Sequence, residues 1–359
     1  MSLLANLDAR LHQTLDGKSV LVTGAAGSIG RVLTERLLRY KPAALRLLDH
    51  DEERTFYLQV RHKDCGPIRV LLGDIRDRTR MARAIQGVDY VFHAAALKHV
   101  GLGEYNPFEV VNSNLIALQG LVECAIDANV ERFVFTSSDK AVNPTNVMGG
   151  CKFVGERLVA AGNLFRGKAR TIFCSTRFGN VLGSSGSAVA LFKRQIEAGM
   201  ALTVTERDMT RFFMTADEAV DLLLSALLVS CGGEVFVPKM RAMQLGDLID
   251  ALGELLAPRR ELKYEEIGRR PGEKPYEELI SEHEVSRCLE TERLLIVLPF
   301  IEEGTLSVLG LPQQEQLGPG NYPDDPKWVK NTFVSSAVPP LPKAAVLEIL
   351  RGELAKDRF

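Results

Sequence analysis

The chain has 359 residues, with 44 Lys or Arg against 46 Asp or Glu and a formal net charge of −2. That length exceeds what one hydrophobic core usually organises, so a main domain with a smaller lobe is expected. The near-neutral balance excludes the one-sided basic field of a nucleic-acid binder and points to small-molecule partners.

In chain order, Leu3, Leu4, Leu7, Leu11 and Leu15 lie at helical spacing and predict an N-terminal extension, residues 1–16, docked on the body. Short runs rich in β-branched and other apolar residues follow at Ser19–Thr23, Leu45–Asp49, Ile68–Leu72, Tyr90–His93, Phe133–Ser137 and Thr171–Thr176. Between them Ile29–Leu38, Arg78–Ile85, Asn114–Ala128 and Lys152–Ala161 carry helical periodicity. Strands alternating with helices imply an α/β fold with a doubly wound parallel sheet. The rhythm places the first domain at residues 17–178. Residues 179–310 read as a smaller lobe, with a helix at Ala216–Leu228 and a strand at Glu234–Val237 that returns to the sheet. A Pro/Gly-rich tail, residues 311–359, ends in an amphipathic helix at Pro342–Ala355.

Six scattered cysteines without a C-x-x-C pair argue against a zinc site or a disulfide framework and fit a reducing cytoplasm. No apolar run reaches the roughly 18 to 20 residues of a membrane span, and the first ten residues lack the apolar block of a signal peptide. No transmembrane segment and a cytoplasmic location are therefore expected.

Thr23-Gly24-Ala25-Ala26-Gly27-Ser28-Ile29-Gly30 lies between the first strand and the first helix. There Gly24 permits a tight turn, Gly27 lets backbone approach a pyrophosphate and Gly30 allows close packing, while the helix N-terminus offers N–H donors. Asp49 closes the second strand, where a carboxylate accepts ribose hydroxyls and repels a 2′-phosphate, favouring NAD. Arg46 and Arg54 leave NADP as the alternative. Asp74 and Ile75 end the third strand at the expected adenine edge, and Ala94 and Ala95 follow the fourth.

The motifs Thr23–Gly30, Ala94–Val100, Glu104–Glu109, Ser137–Lys152, Arg177–Ser187, Asp208–Thr215 and Arg270–Glu278 together resemble the nucleotide-sugar 4,6-dehydratases of polysaccharide biosynthesis, over roughly residues 15 to 290. These are extended short-chain dehydrogenases of Rossmann type, best known acting on UDP-N-acetylglucosamine. In the short-chain pattern Tyr-x-x-x-Lys, a tyrosine four residues before the lysine moves a proton. Here Lys152 is kept and Met148 replaces the phenol, and a thioether has no exchangeable proton. The chain thus resembles a soluble short form of the methionine type, which suggests retention at C5.

Dehydration needs a C4 ketone to acidify the C5 proton, then loss of the C6 hydroxyl and return of hydride to C6. The resemblance implies Asp139 as the acid at O6, Lys140 as the base at C5 and Lys152 as the residue holding the nicotinamide ribose. Each of the first two begins in the protonation state opposite to its role. The O4 proton is expected to leave through Thr136, Ser137 or Ser138. Met148 is expected to pack near the sugar without catalysing.

For the substrate, the resemblance nominates Lys98, Asn180, Arg211, Arg270 and Glu273, with the two arginines meeting phosphates, Glu273 a ribose hydroxyl and the Gly183–Ser187 loop closing over the sugar. His93 and His99 lack a third ligand in register, so no metal is expected. Helices Asn114–Ala128 and Lys152–Ala161 are the pair such enzymes commonly join between subunits, implying a homodimer or larger. The alternatives are GDP-N-acetylglucosamine as substrate, C5 inversion, a C4 epimerase, and a catalytically silent NAD-binding sensor or scaffold.

Overall fold

The computed structural model describes residues 7–269, 272–300 and 317–356. Six parallel strands form the first part of a ten-stranded sheet: β1 (Ser19–Thr23), β2 (Ala44–Asp49), β3 (Ile68–Leu72), β4 (Tyr90–His93), β5 (Arg132–Ser138) and β6 (Ile172–Phe178). Their order is β3-β2-β1-β4-β5-β6, so the chain winds to one side of β1 and then to the other. Such a reversal opens a crevice at the carboxyl ends of β1 and β4, where Thr23 pairs with His93. The fold is the Rossmann-type doubly wound sheet expected from the alternating elements.

Alternation along β1 explains why both faces are covered. Val20 and Val22 join a core with α1 (Leu7–Leu15), α2 (Ser28–Leu38) and the helix Ala216–Val229, while Leu21 enters a second core under Arg78–Ile85 and Ala117–Asp127. The N-terminal helix docks on the body as expected: Leu7, Leu11 and Leu15 are buried, and the Tyr40 hydroxyl bonds Asp8 Oδ1 at 2.7 Å. Leu3 and Leu4 lie outside the described residues.

The helix expected at Asn114–Ala128 differs in its first turn. Asn112–Ile116 is a π-helical turn running into Ala117–Asp127. The wider turn presents buried Asn114, whose amide bonds both the N–H and the carbonyl of Leu97, at 2.8 and 2.7 Å. The helix expected at Lys152–Ala161 is longer, Val147–Phe165, because Asn146 caps it by accepting from the Gly149 N–H.

The smaller lobe returns to the sheet more than once. Val235–Pro238 pairs parallel with β6, and Leu294–Val297, Cys288–Glu290 and Lys327–Trp328 extend the sheet antiparallel. The lobe has its own core around Phe192, Phe213, Leu248 and Leu252, and the C-terminal helix Lys343–Ala355 closes it with Val346 and Leu350. Phe333–Val334 pairs with Glu278–Ile280, so the tail reaches back to the segment beside the β5 end.

Candidate active site

The glycine turn after β1 is dictated by its own packing at two positions. Gly24 has φ +70°, and a Cβ there would lie 2.7 Å from Ala95 N. A Cβ on Gly30 would lie 2.3 Å from the Gly24 carbonyl oxygen, too close for any side chain. Gly27 differs: as N-cap of α2, its Cβ would meet only the Gly24 oxygen, at 3.1 Å. Approach of an external group explains glycine there, which fits a dinucleotide pyrophosphate at the helix N-terminus.

Asp49 is buried beside that turn, its Oδ2 accepting from Ala26 N at 3.0 Å and Oδ1 from His50 N at 2.8 Å. Its place at the strand end fits the ribose role. Asp74 is clamped by Arg76, whose hydrogen bonds hold its carboxyl below the usual range despite burial, and Ile75 is buried. The Thr23 hydroxyl and His93 Nδ1 share a 2.7 Å hydrogen bond. Burial first, and the Lys152 charge second, push His93 down to about 3, so the imidazole is neutral and stacks on Phe135. Among the described residues no group of three or more His, Cys, Asp or Glu is placed to hold a metal.

The strand β5 ends at Ser138 and turns sharply through Asp139–Ala141. A Cβ on Gly149 would lie 2.3 Å from the Lys140 carbonyl oxygen, so the turn sits directly on the first turn of helix Val147–Phe165. Lys152, one turn further along, is buried and donates to the Thr136 carbonyl at 2.7 Å, with Nζ 4.5 Å from the centre of the Phe135 ring. Burial outweighs the attraction of Glu156 and pushes the Lys152 ammonium down to about 8. Glu156 itself accepts from Ser137 Oγ at 2.6 Å and pairs with buried Arg177.

Asp139 is wholly buried. Its Oδ1 accepts from Ser138 Oγ at 2.8 Å and from Lys140 Nζ at 3.1 Å, while Oδ2 has no hydrogen-bond partner. Lys140 Nζ also lies 3.5 Å from Glu277 Oε1, and the same oxygen is 3.7 Å from Arg211 Nε. Burial lowers the Lys140 ammonium, but Asp139 and then Glu277 outweigh it and hold it above the usual lysine range. Glu277 is raised, first by burial and also by Asp139, against the pull of Lys140 and Arg211.

Met148 lies in a small apolar cluster with Val110 and Cys151. Of the residues nominated for the sugar nucleotide, Arg211 and Glu273 come together at 3.2 Å and join the Lys140 cluster through Glu277. Asn180 turns its amide to the Phe212 carbonyl at 3.0 Å, Lys98 is exposed on the loop after β4, and Arg270 lies outside the described residues. The Gly183–Ser187 loop reaches the glycine turn, with Ser185 N bonded to Ser28 Oγ at 3.0 Å and Gly186 packed on His99.

Glu277, Asn114 and Ser335 also stand at or beside the site, although no sequence pattern marks them for it. Ser335 is buried, and its hydroxyl accepts from Glu277 N at 2.9 Å, tying the tail to the cluster. Glu277 stands inside the Arg270–Glu278 motif, and its only sequence signal was an acid in a Pro/Gly-rich run.

This crevice, with a dinucleotide turn at one strand end and a buried acid–ammonium pair at another, belongs to the extended short-chain dehydrogenase class. Residues 20–299 match the polysaccharide biosynthesis protein family, and the chain is a member of it. An uncharacterized membrane protein of Methanocaldococcus jannaschii is 48% identical over 292 residues, covering 80% of this chain and 87% of that one. A UDP-N-acetylglucosamine 4,6-dehydratase (inverting) of Campylobacter jejuni is 35% identical, covering 87% of this chain and 95% of the relative. Other relatives in that range carry the name UDP-glucose 4-epimerase. Among solved structures, Pen from Bacillus thuringiensis superposes with a TM-score of 0.83 at 36% identity, covering 94% of this chain and 99% of that one. The dTDP-glucose 4,6-dehydratase DesIV of Streptomyces venezuelae, solved with NAD, shares the fold at 22% identity and a TM-score of 0.66, covering 80% and 93%. The family resemblance and the enzyme class of nucleotide-sugar 4,6-dehydratases, both expected from sequence, stand on these matches. No helix among the described residues is long and apolar enough to cross a membrane.

Proposed function

We propose that the chain is an NAD-dependent dehydratase that converts UDP-N-acetylglucosamine to the 4-keto-6-deoxy sugar nucleotide. The observation that carries this reading is the unpartnered Oδ2 of buried Asp139 beside the Lys140 ammonium, at the strand end next to Lys152. A buried carboxylate oxygen without a donor is costly to maintain. A substrate hydroxyl placed there satisfies it. A C4 epimerase needs no such pair, and Met148 cannot supply the phenolic proton an epimerase of this class would use.

A bound nicotinamide would supply the hydride acceptor for oxidation at C4 and the hydride donor for reduction at C6. Lys152 would hold the ribose, and its positive charge beside the cationic nicotinamide would favour uptake of hydride. Thr23, Gly24, Gly27, Ser28, Ile29, Gly30, Asp49, Asp74, Ile75, Ala94 and Ala95 line the dinucleotide. Asp49 at the ribose disfavours a 2′-phosphate and so NADP. Asp139 delivers a proton to the departing O6 hydroxyl, Lys140 removes the C5 proton, and Ser138 orients Asp139 through its 2.8 Å bond. Arg211, Arg270, Glu273, Lys98 and Asn180 form the grip on the nucleotide. The dinucleotide domain spans residues 17–178 and the substrate lobe residues 179–310. Exposed Ile116, Phe153 and Val154, on two adjacent helices, support a homo-oligomer joined there. We place the enzyme in the cytoplasm, where nucleotide sugars are made.

The test is mass and proton NMR analysis of the products from UDP-, GDP- and dTDP-sugars in heavy water. The expected product of UDP-N-acetylglucosamine is lighter by one water, with C5 configuration retained. An isobaric C4 epimer, or an unchanged sugar, would overturn the reading.

A further inference from the structure

We propose that Glu277 is the second proton acceptor of the dehydration, the group that frees the Lys140 amine while Asp139 already holds the O4 proton. This inference rests on the dehydratase reading above. Its basis is a proton count within one buried cluster. Asp139 Oδ1 and Glu277 Oε1 flank a single ammonium, at 3.1 and 3.5 Å from Lys140 Nζ, and both carboxylates are almost fully buried.

The reaction requires two things of this cluster at once. Oxidation at C4 releases the O4 proton, which ends in the departing water, so the acid at O6 must hold it meanwhile. Asp139, whose Oδ2 has no partner, accepts it and becomes that acid. Removal of the C5 proton requires Lys140 as a neutral amine, yet the two carboxylates hold it as an ammonium. Its proton therefore needs an acceptor other than Asp139. Glu277 is within reach, and burial already favours its protonated form.

The steps balance as follows. The O4–H bond breaks and its proton joins Asp139, while hydride leaves C4. Lys140 gives one N–H proton to Glu277, and its lone pair takes the C5 proton. The C6–O bond breaks as Asp139 gives its proton to O6, releasing water. Hydride returns to C6, Lys140 gives its proton back to C5, and Glu277 returns the stored proton to Lys140. Asp139, Lys140 and Glu277 end as they began, and no outside acid or base is consumed.

Glu277 is held for this task by the tail. Ser335 Oγ accepts from Glu277 N at 2.9 Å, and Ser335 N donates to the Glu277 carbonyl at 2.9 Å. Arg211 Nε, 3.7 Å from the same oxygen, favours the charged carboxylate and so the return of the stored proton to Lys140.

The experiment compares two readouts on the NAD-loaded enzyme: dehydration of UDP-N-acetylglucosamine, and exchange of the C5 proton of the finished 4-keto-6-deoxy product in heavy water. Exchange carries no O4 proton, so Asp139 is free to accept from Lys140 and Glu277 is dispensable. Glu277→Gln is expected to slow dehydration by about a hundredfold or more, in line with the loss of a proton-transfer group, and to leave exchange within about threefold of the parent. Glu277→Asp is expected to restore part of the dehydration rate. Loss of both readouts together would make Glu277 only a positioning residue for Lys140, and retention of both would make it irrelevant. Either outcome overturns the proposal. Should Glu277→Gln fail to fold, Ser335→Ala leaves the carboxylate in place and is expected to show the same split, with dehydration reduced about three- to tenfold, the scale of one lost hydrogen bond. Equal reduction of both readouts in Ser335→Ala would also overturn it. If the parent enzyme removes water from no sugar nucleotide, the dehydratase reading itself fails, which is a different result.

Discussion

The dinucleotide crevice and the Asp139 cluster lie at neighbouring strand ends but are built in opposite ways. The first is made by one short stretch, Thr23–Gly30, plus the ends of β2 and β4, and its geometry follows from where a Cβ cannot fit. The second gathers charges from Asp139 and Lys140, from Arg211, from Glu273 and Glu277, and is braced by Ser335 more than fifty residues later. Two lysines show the consequence. Lys152, facing an aromatic ring and a carbonyl, is pushed down to about 8. Lys140, facing two carboxylates, is pushed up. One site is built from backbone shape, the other from the balance of buried charges.

The sharpest way to break that comparison is at Asp139. Asp139→Asn keeps the shape of the turn and removes the acid, and Lys140→Ala removes the base. Each is expected to lower dehydration about a thousandfold, within the range for a lost general acid or base, while NAD affinity stays within about twofold of the parent. Rapid-quench product analysis and cofactor titration check this. If either variant lost NAD binding as well, the two sites would not be separable.

A smaller effect separates the two lysines by pH. On the proposal that Lys152 holds the dinucleotide as an ammonium, NAD affinity is expected to fall as pH rises above about 8, by up to about tenfold per unit. Lys152→Met should flatten that limb. The stability sign runs the other way. Between about 8 and the ordinary lysine value of 10.5, the unfolded chain holds a proton that the folded chain has lost, so this group adds stability to the cofactor-free protein as pH rises. The melting temperature of the parent relative to Lys152→Met should therefore rise across that window. A flat difference would mean the burial of Lys152 is relieved by solvent.

How much of this was legible in the sequence follows the same division. Strands β1 and β4 fall where their apolar runs end, because a strand buried on both faces leaves an uninterrupted signal. The glycine turn and Asp49 were readable because their spacing is local. The gathering of Asp139, Lys140 and Lys152 at one strand end was readable because strand, turn and helix are contiguous. Glu277 and Ser335 were not, since no periodicity marks a residue whose partners stand in other segments. The π turn at Asn112–Ile116 was equally hidden, because its apolar residues keep a helical rhythm while the backbone widens to let Asn114 hold the Leu97 loop. Helix Glu52–Arg61 also went unassigned, since it exposes Phe56, Tyr57 and Val60 and buries only Thr55 and Leu58.

The claim on which the rest depends is that the acid, the amine and the nicotinamide share one pocket. A crystal structure with NAD and UDP-N-acetylglucosamine measures it directly. Lys140 Nζ is expected about 3 to 3.5 Å from C5 of the sugar, with Asp139 Oδ2 within hydrogen-bond reach of O4 or O6 and the nicotinamide ring on the opposite side of C4. Asp139 and Lys140 turned away from the sugar, with Oδ2 still unpartnered when both ligands are bound, would contradict it.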